Sequence, residues 1–303
     1  MQQTYTYQAT LEASERITWR VEDIIGGEKR LDFTRPFMPE SLARVEPLAF
    51  LTPYEQRTLN QIRGHAYLTI FGIVEEFILP FVLDHVRTQL ADDDYRVRAM
   101  LEFAGEEAKH IHLFKLFCEE FDRGFGSPCA VIGPAADIGR AVLAHDPLAV
   151  ALTILQIEWM TQSHYVDSIK DAGDLDPQFK SLLKHHWMEE AQHAKLDTLM
   201  VEALAEGRSE AEILAAVDQY LAIGGIVDGG ITQQVNFDMQ ALMGATRRTL
   251  TEDQKQQIRD VQRQANRWTY LGSGMRHEKF LDTLGKLSPA ARERIEAVTP
   301  AFC

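Results

Sequence analysis

The stretch Lys184-His185-His186-Trp187-Met188-Glu189-Glu190-Ala191-Gln192-His193 constrains this chain more than any other. On an α-helix, residues three, four and seven apart share a face, so His186, Glu190 and His193 project together as a ligand cluster. A second copy of the core lies at Glu106-Glu107-Ala108-Lys109-His110, with the same doubled glutamate and the same histidine three places on. Ten histidines and 25 glutamates should produce about one Glu-x-x-His by chance, so one copy would carry little weight and two carry more. Each copy also has a glutamate the same distance upstream: Glu75 lies 32 residues before Glu107 (107 − 75), and Glu158 lies 32 before Glu190 (190 − 158). A helix of ~16 residues on either side of a short turn returns to the same height, because the rise is about 1.5 Å per residue in both directions. Each upstream glutamate can therefore face its partner motif. Glu76 competes for the first position, and the matched interval favours Glu75.

Four carboxylates converging in an apolar interior need counter-charge, since an unpaired buried carboxylate loses several kcal/mol of solvation. Two divalent cations balance them, and mixed carboxylate and imidazole donors suit iron or manganese better than zinc. The neighbours Glu106 and Glu189 are expected to accept the free ring N–H of the histidine on the opposite half, fixing its tautomer. A Glu–His pair standing alone would read as an exposed helix pair. His185, His164 and His112 read as surface or internally satisfied groups. Trp159, Trp187, Phe71, Phe103 and Phe114 read as core, and so does Tyr165, although it shares the face of Glu158.

The net charge of −14, with no basic stretch to offset it, argues against a nucleic-acid partner and for a soluble particle. Cys118, Cys129 and Cys303 are an odd number without CxxC spacing, which is neither a disulfide framework nor a zinc site and fits the reduced cytoplasm. No basic residue followed by an apolar run opens the chain, and no segment reaches ~18 uninterrupted apolar residues, so neither export nor a membrane span is expected. With 303 residues, 45% of them hydrophobic, a single domain is expected.

Taken in order, residues 1–50 lack a period and read as an irregular arm with one short helix near Leu11–Ile25, packed on a body made later. Residues 51–207 read as four long helices. Thr52 and Pro53 start the first, which runs to about Leu90 with a bend expected just past Glu75-Glu76, because Pro80 deprives the Glu76 carbonyl of its donor. Asp92-Asp93-Asp94 caps the second, Tyr95 to Phe121, whose inner face should carry Leu101, Ala104, Glu107, Ile111 and Phe114. A glycine- and proline-rich crossover with a short helix at Ala135–Leu143 leads to the third, Leu148 to Asp171. Asp176-Pro177 starts the fourth, ending near Gly207. Short, long and short connections describe an all-α, ferritin-like four-helix bundle with one long crossover. Residues 208–303 add flanking helices at 209–246, 251–275 and 288–298, with Thr251 and Ser288 as caps and Gly224-Gly225 and Gly229-Gly230 as interruptions.

The two halves Glu75…Glu107-x-x-His110 and Glu158…Glu190-x-x-His193 resemble the di-iron carboxylate motif of ferritin-like proteins. The additional His186 is similar to the third histidine of the p-aminobenzoate N-oxygenase family. Upstream, Leu31-Asp32-Phe33 through Pro39-Glu40-Ser41-Leu42 and Leu51-Thr52-Pro53-Tyr54-Glu55-Gln56-Arg57 resemble that family's N-terminal arm. The resemblance covers most of residues 30–206 and is specific at the ligands. It implies a di-iron oxygenase, with manganese as an alternative metal, that uses O2 to oxidise an arylamine nitrogen towards a nitro group. Glu75, Glu107, His110, Glu158, His186, Glu190 and His193 would hold the metals. The sequence departs from the related Asp-Glu-x-Arg-His form, with Lys109 and Gln192 where arginine often sits and Glu106 and Glu189 in place of aspartate. No flavin, nicotinamide or iron–sulfur signature is present, so electrons must come from an external reductase or ferredoxin. The small-molecule substrate is the expected partner, and nothing in the sequence opposes a homodimer. A ferroxidase or iron-handling protein, and a ligand-binding or radical-forming di-metal oxidase, are the alternative readings.

Overall fold

In the computed structural model, which describes residues 5–91 and 93–303, the N-terminal arm holds three short helices: α1 (Tyr7–Ser14), α2 (Val21–Ile24) and α3 (Glu40–Ala43). The single helix expected near Leu11–Ile25 is broken between α1 and α2, where the chain turns extended at Arg20 (φ −120, ψ 149). That break sends Trp19 onto the body of the protein, where its ring stacks on His110. Packing against α5 and α8, defined below, thus overrides the local helical pattern.

The first long helix, α4 (Pro53–Arg87), opens with a capping box. Thr52 Oγ1 accepts from the Glu55 amide while the Glu55 carboxylate accepts from the Thr52 amide. It continues through Pro80 as one helix. Pro80 faces solvent, and the buried Phe77, Ile78 and Val82 on either side hold the helix in place despite the missing donor. By length and hydropathy alone (1.8 over its most apolar 18 residues) α4 could cross a membrane; 56% of that window is buried inside the protein.

The second helix, α5 (Asp94–Phe125), is capped by Asp93, whose carboxylate accepts from the Tyr95 amide at 3.1 Å. Asp92, also expected at this cap, lies outside the described residues. Leu101, expected on the inner face, is 47% exposed; the buried face is Phe103, Ala104, Glu107, His110, Phe114 and Phe117, with Ile111 at its edge. Leu101 precedes this face by half a turn, so the apolar period misassigned it.

After α6 (Ala135–Leu143) in the crossover come α7 (Pro147–His164), prolonged by a π-turn at Tyr165–Ile169, and α8 (Pro177–Ala205). Asp146 and Asp176 cap these two helices, each followed by proline at the first helical position. Helix α4 packs along α5 and α7 along α8, the two hairpins of the bundle.

Helix α9 (Glu210–Thr246) lies against both α4 and α7. It runs unbroken through Gly224-Gly225 and Gly229-Gly230, contrary to expectation, because contact with two bundle helices outweighs the ~1 kcal/mol a glycine costs relative to alanine. The predicted helix over 251–275 is three pieces: α10 (Glu252–Arg267), a π-turn at Trp268–Gly272 and α11 (Ser273–Met275). An unexpected α12 (Glu278–Leu287) precedes α13 (Pro289–Val298), and Thr251 and Ser288 cap α10 and α13. Every described element is helical, with no strand among the described residues.

Candidate metal centre

The four bundle helices bring the predicted acidic and imidazole groups to one buried place. Glu75 comes from α4, Glu107 and His110 from α5, Glu158 from α7, and His186, Glu190 and His193 from α8. Each is at most 3% exposed. Two overlapping ligand sets form, Glu75 with His110, His186 and Glu190, and Glu107 with His110, Glu190 and His193, the donor atoms of each set lying within 4.8 Å of one another. Glu158 belongs to neither set. It lies beside Glu190, close enough for its protonated form to donate a hydrogen bond.

The adjacent pair on α4 splits cleanly. Oε1 of Glu75 is 3.0 Å from Nε2 of His186, whereas the Glu76 side chain is 39% exposed and pairs with Lys115 at 3.3 Å. On α8, Glu190 faces both ways, with Oε1 2.8 Å from His186 Nε2 and Oε2 3.2 Å from His193 Nδ1. Glu107 does the same, with Oε1 3.1 Å from His193 Nδ1 and Oε2 3.8 Å from His110 Nδ1. Two carboxylates therefore divide their oxygens between the halves.

Outside this set, Nε2 of His110 lies 2.8 Å from Glu189 Oε2 and Nε2 of His193 lies 2.8 Å from Glu106 Oε2. If each Nε2 carries the proton, Nδ1 of each ring is left as a lone pair facing the centre. Lys109 also donates to Glu189 and sits 4.0 Å above the Trp19 ring, which stacks on His110 at 6.0 Å and 8°. Phe103 lies 4.1 Å from His193, and Phe71 and Phe114 meet His186 edge-on at 5.7 and 5.1 Å.

Buried polar atoms in folded proteins are normally paired. Here Oε2 of Glu75, both oxygens of Glu107, Nδ1 of His110, Oε2 of Glu158 and Oε1 of Glu190 are buried without a hydrogen-bond partner. His110 Nδ1 comes within 3.1 Å of Glu190 Oε1, off the line a hydrogen bond needs. Carboxylate oxygens and imidazole nitrogens left open towards one another are the donor set of a pair of divalent cations, and these residues fit such a group.

Electrostatics agree. Burial raises the Glu75 carboxyl from 4.5 to about 8, the Glu107 charge adding to it and His186 and His110 pulling back. Burial and the neighbouring Glu190 push Glu158 well above the usual range. Glu190 goes the other way: burial opposes its charge, but His186 and His193 hold it well below the ordinary value. Burial also opposes a proton on His110, His186 and His193, yet the surrounding carboxylates raise all three. The centre asks for positive charge and takes it from protons when nothing else supplies it.

The remaining sequence candidates fall elsewhere. His164 is buried between Ser273 Oγ (3.0 Å) and the Tyr67 hydroxyl (3.4 Å), and burial lowers it to about 3. His185 is half-buried with Nδ1 2.7 Å from the Ser181 carbonyl, and His112 is exposed. Trp159, Phe71, Phe103 and Phe114 are buried, whereas Trp187, read as core, is only half-buried and stacks on Tyr165 at 4.4 Å. Sequence reasoning passed over two residues. Trp19 has no periodic context to mark it, being placed by the break in the arm. Asp197 is fully buried with both oxygens unpartnered, and burial holds its carboxyl well above the ordinary range despite the charge of His193. Its signal was present: it is a carboxylate one helical turn beyond His193 on the same face.

No protein-family profile and no curated protein sequence matches the chain. Among solved structures, a variant of an R2-like ligand-binding oxidase with an aerobically reconstituted Mn/Fe cofactor is similar, at 15% identity over 89% of this chain and 94% of that one, with a TM-score of 0.45. Another variant of that oxidase, with an aerobically reconstituted Fe/Fe cofactor, gives the same identity, coverage and TM-score.

Proposed function

We propose that this chain is a non-haem di-iron oxygenase in which Glu75, Glu107, His110, Glu158, His186, Glu190 and His193 hold two iron ions, with manganese as an alternative. The observation that carries the reading is the pair of overlapping, fully buried Glu/His sets in which Glu75 Oε2, both Glu107 oxygens and Glu190 Oε1 have no hydrogen-bond partner. When bound, such a metal pair supplies O2 activation and the electrons that pass to it.

The chain's own residues do the positioning. Glu107 and Glu190 present one oxygen to each half of the centre, and so fix the spacing of the two sets. Glu189 and Glu106 hold the His110 and His193 rings by Nε2, so that Nδ1 points inward. His186 adds a second imidazole to the set containing Glu75, the third of the centre, and Phe71 and Phe114 pack edge-on against it. The substrate we assign is a small aromatic amine oxidised at nitrogen, in keeping with the resemblance of the ligand pattern to the p-aminobenzoate N-oxygenases. Electrons come from an external reductase or ferredoxin in a reducing, cytoplasmic setting.

Metal analysis, O2 uptake by the reduced protein and product analysis on a panel of aromatic amines test this together. Two ions per chain, O2 consumption and hydroxylamine or nitro products are expected. Aliphatic hydroxylation instead would keep the centre and overturn the amine; bound metal without O2 consumption would make the site a structural one.

A further inference from the structure

The ring of Phe71 that meets His186 also borders a cavity of about 230 Å³ enclosed by α4, α7, α9 and the crossover. Val74 and Ile157 line the cavity too, and they are the sequence neighbours of Glu75 and Glu158. Its outer end is formed by Ile226, which is 40% exposed, and by the exposed Gln233. The space therefore leads from solvent to the residues beside the metal ligands.

Its chemistry is one-sided. The lining is mostly aliphatic and aromatic, and none of the described lining residues is lysine, arginine or histidine. Three of its polar side chains are engaged already. Thr153 Oγ1 donates to the Ala149 carbonyl at 3.0 Å, Gln156 Nε2 donates to the Tyr270 carbonyl at 3.0 Å, and the Tyr220 hydroxyl donates to Gln156 Oε1 at 3.2 Å. A carboxylate entering here would shed its water and find no cation to replace it.

Glycines on α9 make the room. A Cβ on Gly224 would meet nothing nearer than Met275 Cε at 3.9 Å, and one on Gly230 would meet Ile132 Cδ1 at 3.2 Å. Gly224 and Gly230, one from each pair that sequence reading took for interruptions of α9, line the cavity, while Gly225 and Gly229 face solvent.

We infer that the substrate of the centre is an uncharged, apolar small molecule reaching it through this cavity, with Gly224 setting the depth available. The inference rests on the oxygenase reading and narrows it: a neutral arylamine such as p-toluidine fits, and a carboxylated one such as p-aminobenzoate does not.

Titration calorimetry on the metal-loaded full chain compares these two amines, which differ by a methyl for a carboxylate. We expect p-toluidine to bind at least about tenfold more tightly. Gly224→Leu should weaken it about tenfold or more by filling the cavity, while Gly224→Ala should not. Ile226→Arg, at the exposed rim where a charge costs no burial, should raise affinity for p-aminobenzoate and leave p-toluidine unchanged. Metal content and melting temperature report separately on folding of each variant. Equal or tighter binding of p-aminobenzoate by the unmodified chain, no binding of p-toluidine, or p-toluidine binding indifferent to Gly224→Leu would overturn the inference. Failure of the broader reading looks different: p-toluidine bound with these sensitivities but no O2 consumed keeps the cavity and removes the oxygenase. O2 consumed with p-aminobenzoate preferred does the reverse.

Discussion

Glu75→Gln in the metal-free protein isolates the electrostatics of the centre, because the amide keeps the shape of the carboxyl and removes its titration. Burial raises this carboxyl from 4.5 to about 8. At about 1.36 kcal/mol per pH unit, that rise corresponds to at most about 5 kcal/mol. The sign follows from proton counting. A carboxyl that holds its proton more tightly in the folded chain contributes stability that is fully present below the unfolded value of 4.5 and is lost as the pH rises through about 8. Glu158 and the three histidines, all raised, act in the same direction, and Glu190, lowered, acts against them. The comparison that counts is therefore between the native chain and the variant. Urea unfolding of chelator-treated protein between about pH 5 and pH 8 should show the native chain losing stability relative to Glu75→Gln, the gap changing by up to about 1.4 kcal/mol per pH unit. Parallel curves would refute the argument. With metal bound the proton is displaced, so metal affinity of the native chain should rise up to about tenfold per pH unit below the carboxyl's value, and less steeply in the variant.

Glu190→Ala removes a member of both ligand sets and should abolish binding of both ions, whereas Glu76→Ala, an exposed residue paired with Lys115, should leave metal content unchanged and cost no more than about 1 kcal/mol; metal analysis of the two purified variants decides. His186→Ala should retain metal and alter the optical spectrum and O2 reactivity, and His185→Ala should alter neither; equal metal loss in His185→Ala would mean the wrong ring was assigned. Glu189→Gln should weaken metal binding about 10–100-fold by loosening the grip on His110, read by competition with a chromogenic chelator. Gly274→Ala places a Cβ 2.5 Å from the Gln156 carbonyl oxygen and should destabilise by about 1–3 kcal/mol. Gly225→Ala, exposed within α9 with nothing within 4 Å, should stabilise by up to about 1 kcal/mol, and thermal melts of the pair check both signs.

The bundle was legible because its signals are local. Thr52-Pro53 and Asp176-Pro177 mark helix starts by capping chemistry that needs no tertiary partner. The equal intervals between glutamates work because helical rise is constant, and they selected Glu75, the member of the pair that points inward. What the sequence hid depends on distant partners. Trp19 covers His110 only because the arm leaves helix before Arg20, which no pattern within residues 15–20 announces. The glycine pairs of α9 look like breaks to any local rule, and only the presence of α4 and α7 beside the helix makes Gly224 and Gly230 part of a cavity wall. The π-turns at Tyr165–Ile169 and Trp268–Gly272 likewise carry no composition that separates them from ordinary helix.

Glu158 shows how far the interval argument reaches. The repeat that placed Glu75 within hydrogen-bonding distance of His186 placed Glu158 against another carboxylate, where burial, and after it the like charge of Glu190, favours its protonated form. The two halves are thus equivalent in sequence spacing and unequal in chemistry. Each ligand set counts two histidines, His110 and Glu190 being common to both, so the sets differ in Glu75 and His186 on one side and Glu107 and His193 on the other. The difference traces to one residue, since His186 on α8 has no counterpart four places before Glu107, where Phe103 stands and packs on His193 instead. A hydrocarbon ring in place of an imidazole leaves three imidazoles for two sets, so His110 is shared, and Glu158, with an unpartnered oxygen, lies beside the Glu190 common to both. An ion there would replace the proton of Glu158, which gives the two positions different affinities from the same duplicated frame.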